Sequence, residues 1–388
     1  MTDRFDVAII GAGIVGASVA YHLRPGTRAL VLEGERAAGY HSTGRSAALF
    51  AASYGPPAVR ALTRGSLPFF QAPAAGFAEQ PLLAARGILL PARDEQIAAA
   101  RRLVDALRAE GAPLRLLARH EALAAVPVLK AQACAAAVHD PQAFDIDVDA
   151  LLQGFLRGAK SHGIQVELAA VVAAIEPAPT GWHIALGDGR TCQAQVVVNA
   201  AGAWADEVAR LAGVGPIGLE PRRRSAFLFD APAGVDCRHW PAVIALDESW
   251  YFKPDAGALL GSPANADPVP PHDVVPEELD IAQGIFDIEQ ATTLRIRRPK
   301  RTWAGLRSFV ADGEPVCGFD PMAPGFFWAA ALGGYGIQSA PAFGRLCASL
   351  LHGDGVPAEL CAAGLSAGAL APRRADPVAA PQPATATP

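Results

Sequence analysis

A glycine-rich turn between a short apolar strand and a helix constrains the fold of this chain more than any other feature. The run Asp6–Ile10 (DVAII) leads into Gly11–Gly16 (GAGIVG), and a helical segment continues to about Leu23. A second apolar run, Arg28–Glu33 (RALVLE), follows. This order predicts a βαβ unit, and its turn has the G-x-G-x-x-G spacing of dinucleotide-binding folds.

Each glycine of this turn has a separate task. Gly11 allows the tight turn, Gly13 lets a pyrophosphate approach the backbone, and Gly16 lets the helix pack on the strand. The helix N-terminus, with Ala12 and Ile14 beside it, offers N–H groups to phosphate oxygens. Glu33 ends the second strand, where a carboxylate accepts hydrogen bonds from ribose hydroxyls and repels a 2′-phosphate. The alternative is a structural glycine turn with a surface glutamate.

Two later segments distinguish a long flavin cofactor from a nicotinamide one. The apolar run Val196–Val198 ends in the small residues Ala200–Gly202, and a glycine cluster follows much later at Gly333–Gly336. Small residues at such positions permit close approach of a ligand to the backbone. A cofactor that contacts both ends of the chain needs such distant sites, whereas a simple NAD dehydrogenase usually completes its nucleotide site within one contiguous domain.

The remaining segments predict a second region of antiparallel sheet. Amphipathic helices are expected over 97–107 and 148–161, and alternating runs at Ser225–Phe229, Trp250–Lys253 and Leu259–Gly261 are typical of antiparallel strands. A Pro- and Asp-rich loop is expected at Asn265–Pro276.

Charge and cysteine usage exclude several classes of function. The net charge is −5, from 33 basic and 38 acidic residues, which leaves no electrostatic footprint for nucleic acid. The six cysteines are scattered without zinc-ligand spacing, so we expect no metal site and a reducing compartment. The segment Val7–Leu23 lacks charged residues, but its glycines favour strand, turn and helix over a membrane span. We therefore expect no signal peptide and no transmembrane segment.

The chain resembles the FAD-dependent D-amino-acid oxidase/dehydrogenase superfamily, and within it the bacterial catabolic D-arginine dehydrogenases. The resemblance extends from residue 6 to about residue 340. It rests on DVAIIGAGIVGAS (Asp6–Ser18), GYHSTGRSAA (Gly39–Ala48), VVVNAAGAWAD (Val196–Asp206), RRRSAF (Arg222–Phe227), DESWYFKPDAG (Asp247–Gly257), LLGSPANADPV (Leu259–Val269), RTWAGLRSFVADG (Arg301–Gly313) and GGYGIQ (Gly333–Gln338).

This resemblance implies an α/β fold with a Rossmann-type FAD-binding domain and a smaller, mainly antiparallel α+β substrate domain. The expected FAD domain is discontinuous, with residues 1–50, 140–215 and 300–371. The substrate domain takes 51–139 and 216–299. Residues 372–388, largely Pro, Ala and Thr, are expected to form a disordered tail.

The resemblance also implies the reaction. A D-amino acid passes its Cα hydrogen as a hydride to flavin N5 of non-covalently bound FAD, and water hydrolyses the imino acid to a 2-oxo acid and ammonia. The expected partners are a small D-amino acid and an electron acceptor, such as a quinone or an electron-transfer chain. The expected location is the cytoplasm or the surface of the inner membrane.

Site residues follow from the matching motifs. Arg224 and Arg307 are expected to grip the substrate carboxylate through paired hydrogen bonds. Tyr251 and Tyr54 are expected to line the pocket, and Gly334 and Gln338 to begin a helix whose dipole faces the flavin. Expected cofactor contacts are also His41 (or packing there), Ser42, Thr43, Arg45, Ser46, Ala47, Val171 or Val172, Ala200, Gly202, Trp204, Gly333, Gly336, Ile337 and Gln338.

Two positions depart from the arginine-selective pattern. Those relatives place an acid where this chain has Ile88, and a histidine where it has Leu49. Burying a cationic side chain without a carboxylate partner is costly. The departure therefore predicts a preference for neutral side chains.

Other functions stay open. A flavin oxidase of glycine or secondary amines, of the sarcosine type, differs in its substrate profile. A 2-hydroxy-acid dehydrogenase on the same fold differs in releasing no ammonia. A non-catalytic FAD- or NAD-binding regulator is disfavoured by the set Arg224, Tyr251 and Arg307.

Overall fold

The predicted βαβ unit lies at the centre of an eight-stranded sheet. The structure is a computed structural model and describes residues 3–374. Over these residues the strands are, in chain order, β1 (Asp3–Ile10), β2 (Ala29–Leu32), β3 (Leu49–Phe50), β4 (Leu83–Ala85), β5 (Ile88–Ala92), β6 (Arg115–Ala118), β7 (Ala136–Asp140), β8 (Phe144–Ile146), β9 (Gln165–Glu167), β10 (Val172–Ala178), β11 (Gly181–Leu186), β12 (Thr191–Asn199), β13 (Glu220–Phe229), β14 (Ala242–Ile244), β15 (Tyr251–Asp255), β16 (Ala258–Ser262), β17 (Asp267–Pro268), β18 (Arg301–Phe309), β19 (Val316–Phe319) and β20 (Phe326–Ala330).

Helices flank these strands. They are α1 (Ile14–His22), α2 (Pro57–Gln71), α3 (Ile97–Ala109), α4 (Arg119–Ala125), α5 (Val148–Ser161), α6 (Ala205–Leu211), α7 (Glu278–Ala291), α8 (Gly336–Leu351), α9 (Ala358–Ala362) and α10 (Ala367–Leu370). Helices α3 and α5 confirm the two amphipathic helices predicted from the sequence. Helices α2, α4, α6, α7, α9 and α10 were not predicted.

The first sheet brings three strand ends to one edge. Its order is β10-β11-β12-β1-β2-β9, with β20 beside β12 and β19 beside β20. Strand β1 pairs in parallel with β2 and β12, and β12 pairs in parallel with β20. The residues that follow β1, β12 and β20 therefore meet at the same edge, although they are far apart in sequence.

The second sheet forms the predicted antiparallel region. Its order is β17-β13-β16-β15-β14-β5-β7-β6, with β18 beside β13, and it is antiparallel except where β14 meets β5. A small third sheet has the order β3-β8-β4. The parallel FAD-type sheet and the mainly antiparallel second sheet confirm the predicted α/β fold class.

The packing differs from the expected domain boundaries in two segments. Helix α2, placed in the substrate domain, packs on α8, and its Ala58, Ala61 and Leu62 join the core around β1. Strand β18, placed in the FAD domain, pairs with β13 of the second sheet. Helix α2 buries its apolar face in the core around β1, and β18 forms its backbone hydrogen bonds with β13. Domain boundaries placed from the sequence do not detect this packing.

Two arginines at the start of the expected disordered tail form ion pairs with the rest of the chain. Arg373 lies within 3.0 Å of the buried Asp320, and Arg374 donates to both carboxylate oxygens of Asp312. These two ion pairs hold the chain against the loops around β19. Residues 375–388 of the expected tail lie outside the described residues.

Two further expectations concern membranes and cysteines. The segment Val7–Leu23 is the end of β1 followed by the nine-residue α1, as predicted. Within the described residues no helix combines the length and apolar character needed to cross a bilayer. The cysteines carry free thiols, and only Cys361 is exposed.

Helices α1 and α8 cross at a point that only glycine permits. A Cβ at Gly344 would lie 2.1 Å from Ser18 Oγ and 2.7 Å from the Ser18 carbonyl carbon. The Ser18 hydroxyl also donates to Ala340 O at 2.7 Å, which fixes the crossing. Since α1 and α8 both begin at the cleft described below, their separation sets its width.

We expect Gly344→Ala to lower the free energy of unfolding of the apoprotein by about 1–3 kcal/mol, because overpacking forces the two helices apart. Denaturant titration measures this loss. Gly368→Ala in α10 is the matched control, since a Cβ there has no neighbour within 4 Å. An equal loss in both variants would contradict this account of the crossing.

Candidate active site

Two joined cavities lie where the first sheet ends and the second sheet begins. The larger, of 520 Å³, runs along the end of β1 and β2, and the smaller, of 160 Å³, runs below β13 and β18. They share a set of lining residues, which are Gly13, Ser42, Thr43, Ala200, Gly202 and Ala203. Together they form one elongated cleft, suited to a ligand with two ends.

The glycine turn forms the middle of this cleft. Gly11 has φ +103°, and a Cβ there would lie 2.6 Å from Ala200 O, so β12 approaches the turn as closely as backbone allows. Ile14 N donates to Thr43 Oγ1 at 3.0 Å, which ties the turn to the residues 39–46. Gly16 lies behind the cleft, where its Cβ would meet Gly11 O at 1.9 Å. The close approaches at Gly11 and Gly16 agree with the turn and packing tasks predicted for them, and the phosphate contact of Gly13 stays a prediction.

An acidic residue closes the larger cavity at the end of β2. Glu33 accepts hydrogen bonds from Ala12 N at 2.7 Å and from Glu35 N at 2.9 Å. These two bonds orient its carboxylate along the cavity wall, where ribose hydroxyls are expected. Glu35 pairs with His41 Nε2 at 2.9 Å, and the His41 ring lies 4.5 Å from that of Trp204. Two carboxylates at this end disfavour a 2′-phosphate.

The smaller cavity is lined by both sheets and by the start of α8. Its walls include Ile14, Arg45, Ser46, Ala47, Arg224, Tyr251, Gly305, Arg307, Gly333, Gly334, Gly336 and Ile337. A Cβ at Gly334 would lie 2.9 Å from Arg307 Cζ, so the glycine cluster allows a guanidinium to lie directly on the backbone before α8. The N-terminus of α8 has no side-chain cap and opens toward this cavity.

Strand pairing decides which of the three consecutive arginines reach the cavity. Arg307 of β18 stands opposite Arg222 of β13, so Arg224 and Arg307 lie on the same face, two positions apart. Arg223 lies on the opposite face and is paired with Asp280 and Glu277. Gly305 stands opposite Arg224 and leaves space beside it.

Among residues 3–374 no carboxylate forms an ion pair with Arg224 or Arg307, and Glu248, bound by Tyr54, affects Arg224 less than burial and Arg307 do. Burial and then the neighbouring Arg307 lower the pKa of Arg224 to about 10, and Arg224 Nε is buried without a hydrogen-bond partner. Within residues 3–374, carboxylates pair with Arg222 and Arg223 instead. Two like charges in one buried cavity favour a bound anion.

Tyr54 and Tyr335 lie beside these arginines. Their rings meet edge to face at 5.3 Å, and Tyr54 OH donates to Glu248 Oε2 at 2.9 Å. Burial, with Glu248 as the next cause, raises the pKa of Tyr54 well above its usual range. Burial likewise raises the pKa of Tyr335. Both phenols therefore stay protonated at neutral pH.

Leu49 and Ile88 lie in one apolar cluster with Tyr54. The cluster also contains Ala51, Leu90, Ala143, Ala242 and Ile244. Its nearest charged neighbours along β15 are held in place, because the fully buried Lys253 Nζ donates to Asp145 at 2.8 Å and Arg86 binds the other oxygen of that carboxylate. The cluster is apolar, but carboxylates border it: Asp140 stands opposite Ile88 and accepts from Ser53 Oγ and Gln142 N, and Glu248 accepts from Tyr54 OH.

Most predicted site residues line the cleft, but several do not. Those in the walls are Gly11, Gly13, Ile14, Glu33, His41, Ser42, Thr43, Arg45, Ser46, Ala47, Val171, Val172, Ala200, Gly202, Trp204, Arg224, Tyr251, Arg307, Gly333, Gly334, Gly336 and Ile337. Gln338 lies behind the wall, where its Oε1 accepts from Ala51 N at 3.0 Å. Ser42 Oγ donates to Leu306 O and Ser46 Oγ accepts from Ala48 N, so both hydroxyls also support the loop.

The residues around the cleft that sequence reasoning missed include Glu248, Tyr335, His272 and Asp273. Glu248 and Tyr335 lie by the arginine pair, and His272 and Asp273 line the larger cavity. Tyr335 lies inside the glycine cluster Gly333–Gly336, so this motif could have identified it as a site residue. Glu248, in a turn between β14 and β15, carries no local signal, because its neighbours are set by how the sheets meet.

The residues present fit an FAD molecule. The cleft has a glycine turn for a pyrophosphate, Glu33 for a ribose, and a second cavity below the second sheet. Buried polar atoms without protein partners, Arg224 Nε and Gln338 Nε2, lie at the second end. FAD bound here would be held by the β1–α1 turn, by Glu33 and by the segment that starts α8.

Comparisons with known proteins agree with this fit. The chain is 26% identical to mouse (Mus musculus) FAD-dependent oxidoreductase domain-containing protein 1, over 90% of this chain and 81% of that protein. It is 26% identical to glycine oxidase of Geobacillus kaustophilus (strain HTA426), over 91% and 94%. The crystal structure of L-proline dehydrogenase from P. horikoshii has the same fold, with a TM-score of 0.78 at 22% identity, over 92% and 96% of the two chains.

The family model described as FAD dependent oxidoreductase (DAO) matches residues 6–350, which include the glycine turn, both arginines and the start of α8. This match covers most of the chain and agrees with the cleft. The chain belongs to the DAO family of FAD-dependent oxidoreductases, and its cofactor is FAD.

Proposed function

We propose that this protein oxidises neutral D-amino acids to 2-oxo acids, with release of ammonia. The observation that carries the proposal is the pair Arg224 and Arg307, two guanidinium groups on one face of the sheet without a protein carboxylate between them. A bound carboxylate offsets one of the two positive charges and accepts a hydrogen bond from the unpartnered Nε of Arg224. FAD bound in the cleft supplies the two-electron acceptor.

The chain's own residues orient the substrate. The two guanidiniums fix the carboxylate, so the Cα atom is held at a set position in the smaller cavity. Tyr251, buried in the same wall, limits rotation about that anchor. The substrate amine must lose its proton before oxidation, because an ammonium group has no lone pair. Tyr54 and Tyr335 are poor bases since their raised pKa values keep them protonated, so solvent accepts this proton.

Side-chain preference is proposed to come from the apolar cluster around Leu49 and Ile88. These residues pack with Tyr54, Ile244 and Leu90, and the carboxylates at the border of the cluster, Asp140 and Glu248, are held by Ser53 and Tyr54. An aliphatic, aromatic or thioether side chain buries apolar area there, whereas a guanidinium or ammonium loses hydration without a partner. The resemblance to D-arginine dehydrogenases therefore supports the reaction and the D configuration more than it supports arginine as substrate.

Oxidation of glycine or secondary amino acids is the second candidate. It is favoured by the similarity to glycine oxidase over 94% of that protein. Both candidates use the same carboxylate anchor, and they differ only in what surrounds Cα and nitrogen. The choice between them is therefore a question of substrate profile.

Anaerobic reduction of the bound flavin tests substrate class and configuration together. We expect D-Leu, D-Met and D-Phe to bleach the flavin faster than D-Arg or D-Lys, and the L-enantiomers to be poor substrates. Stopped-flow absorbance with matched concentrations measures this. Preferential bleaching by glycine or N-methylglycine would favour the second candidate, and a dominant D-Arg response would contradict the proposed selectivity.

An acid at position 88 should change that selectivity. We expect Ile88→Glu to raise the ratio of kcat/KM for D-Arg over D-Leu by about tenfold or more, since a buried charge pair replaces an unpaired cation. Ile88→Gln is the matched control, because it introduces polarity without charge. If the ratio of kcat/KM for D-Arg over D-Leu is the same in both variants, Ile88 does not line the pocket for the substrate side chain.

The arginine pair is tested by substitutions that keep its charge. We expect Arg307→Lys and Arg224→Lys each to lower kcat/KM by about 10- to 100-fold, because lysine lacks the planar fork that binds a carboxylate through two bonds. Arg222→Lys is the control on the same strand, where the guanidinium pairs with Glu220 instead. Equal effects at positions 222 and 307 would contradict the assigned role.

A further inference from the structure

Arg45 has a different partner from the one that the sequence suggested. It was expected to contact the diphosphate or the flavin, and its side chain does border the smaller cavity. Its guanidinium, however, is taken up by protein groups: it forms an ion pair with Asp273 and donates to Val274 O at 3.0 Å and Ala304 O at 3.1 Å. Only 15% of the Arg45 side chain is exposed.

Asp273 receives a second hydrogen bond from the same cleft wall. Tyr40 OH donates to its other carboxylate oxygen at 3.2 Å, and the Arg45 guanidinium lies over the Tyr40 ring at 5.2 Å. Arg45 is the main cause that lowers the pKa of Asp273, so the carboxylate stays charged under ordinary conditions. We call Tyr40, Arg45 and Asp273 the latch.

The latch joins two segments that come from different parts of the fold. Tyr40 and Arg45 flank Thr43, which holds the glycine turn through Ile14 N. Asp273 belongs to the loop between β17 of the second sheet and α7. The latch therefore connects the residues beside the glycine turn to a surface loop of the second sheet.

The position of the latch relates it to the path of the cofactor. Asp273 and His272 line the larger cavity, and Arg45 lines the smaller one. A molecule that occupies both cavities passes the residues that they share, which include Ser42 and Thr43. The ion pair thus lies beside the residues that join the two cavities.

We propose that the latch retains FAD, and that separation of Asp273 from Arg45 and Tyr40 limits how fast FAD leaves the protein. The inference rests on FAD binding by this family and is independent of the proposed amino-acid substrate. Asp273 is 56% exposed on its side chain, so water and salt ions reach the pair and the latch can open without unfolding of either sheet.

Release of FAD from the holoprotein tests the latch directly. After dilution, the rise of flavin fluorescence gives the rate of release. We expect Asp273→Asn to accelerate release by about threefold or more, and Tyr40→Phe to accelerate it less, because it removes one hydrogen bond and no charge. Wild-type release should quicken when the salt concentration is raised, and this salt effect should be weaker in Asp273→Asn.

Glu79→Gln is the matched control, since it changes the net charge equally at an exposed position outside the cleft. Its release rate should equal that of the wild type. Three results would each overturn the proposal. Asp273→Asn releases FAD at the wild-type rate, Glu79→Gln accelerates release as much as Asp273→Asn, or salt affects release from Asp273→Asn as strongly as release from the wild type. If Asp273→Asn cannot be obtained folded, Tyr40→Phe alone decides, and an unaltered release rate there overturns it.

Discussion

An unneutralised pair of guanidinium groups governs how this cleft can work. The register of β13 and β18 brings Arg224 and Arg307 to one face. Glu220 pairs with Arg222, and Asp280 pairs with Arg223. Keeping two cations together in a buried cavity costs free energy, which the fold compensates elsewhere. Under the proposed function an incoming carboxylate lowers that cost, and charge would select the substrate class and its orientation at the same step.

The cofactor depends on a second constraint, the common edge of parallel strands. Strands β1, β12 and β20 end together, so backbone from residues 11, 200 and 331 meets around one cleft. Gly11 and Gly344 then permit the close approaches that hold α1 and α8 to this edge. The second sheet covers the cleft and carries the arginines. FAD binding thus draws on the edge of the first sheet, whereas the proposed substrate anchor lies on the second sheet, and the Arg45–Asp273 ion pair connects the two parts.

Local spacing was enough to predict the parts that depend on neighbours in sequence. The βαβ unit, Glu33 and the helix α5 followed from glycine spacing and apolar periodicity. The choice among Arg222, Arg223 and Arg224 did not, because it depends on cross-strand register. The roles of Arg45, Glu248 and Gln338 were likewise beyond local reasoning, since their partners lie up to 287 residues away. Helix α7 was missed because its glycine and its exposed apolar residues obscure the helical pattern.

Removing the carboxylate from the substrate tests the central claim most directly. D-Leucine and 3-methylbutylamine share the amine and the side chain and differ in that one group. The account predicts that the amine reduces the bound flavin at least about 100-fold less efficiently than D-leucine, since it cannot neutralise Arg224 and Arg307. Comparable anaerobic reduction by both compounds would contradict it.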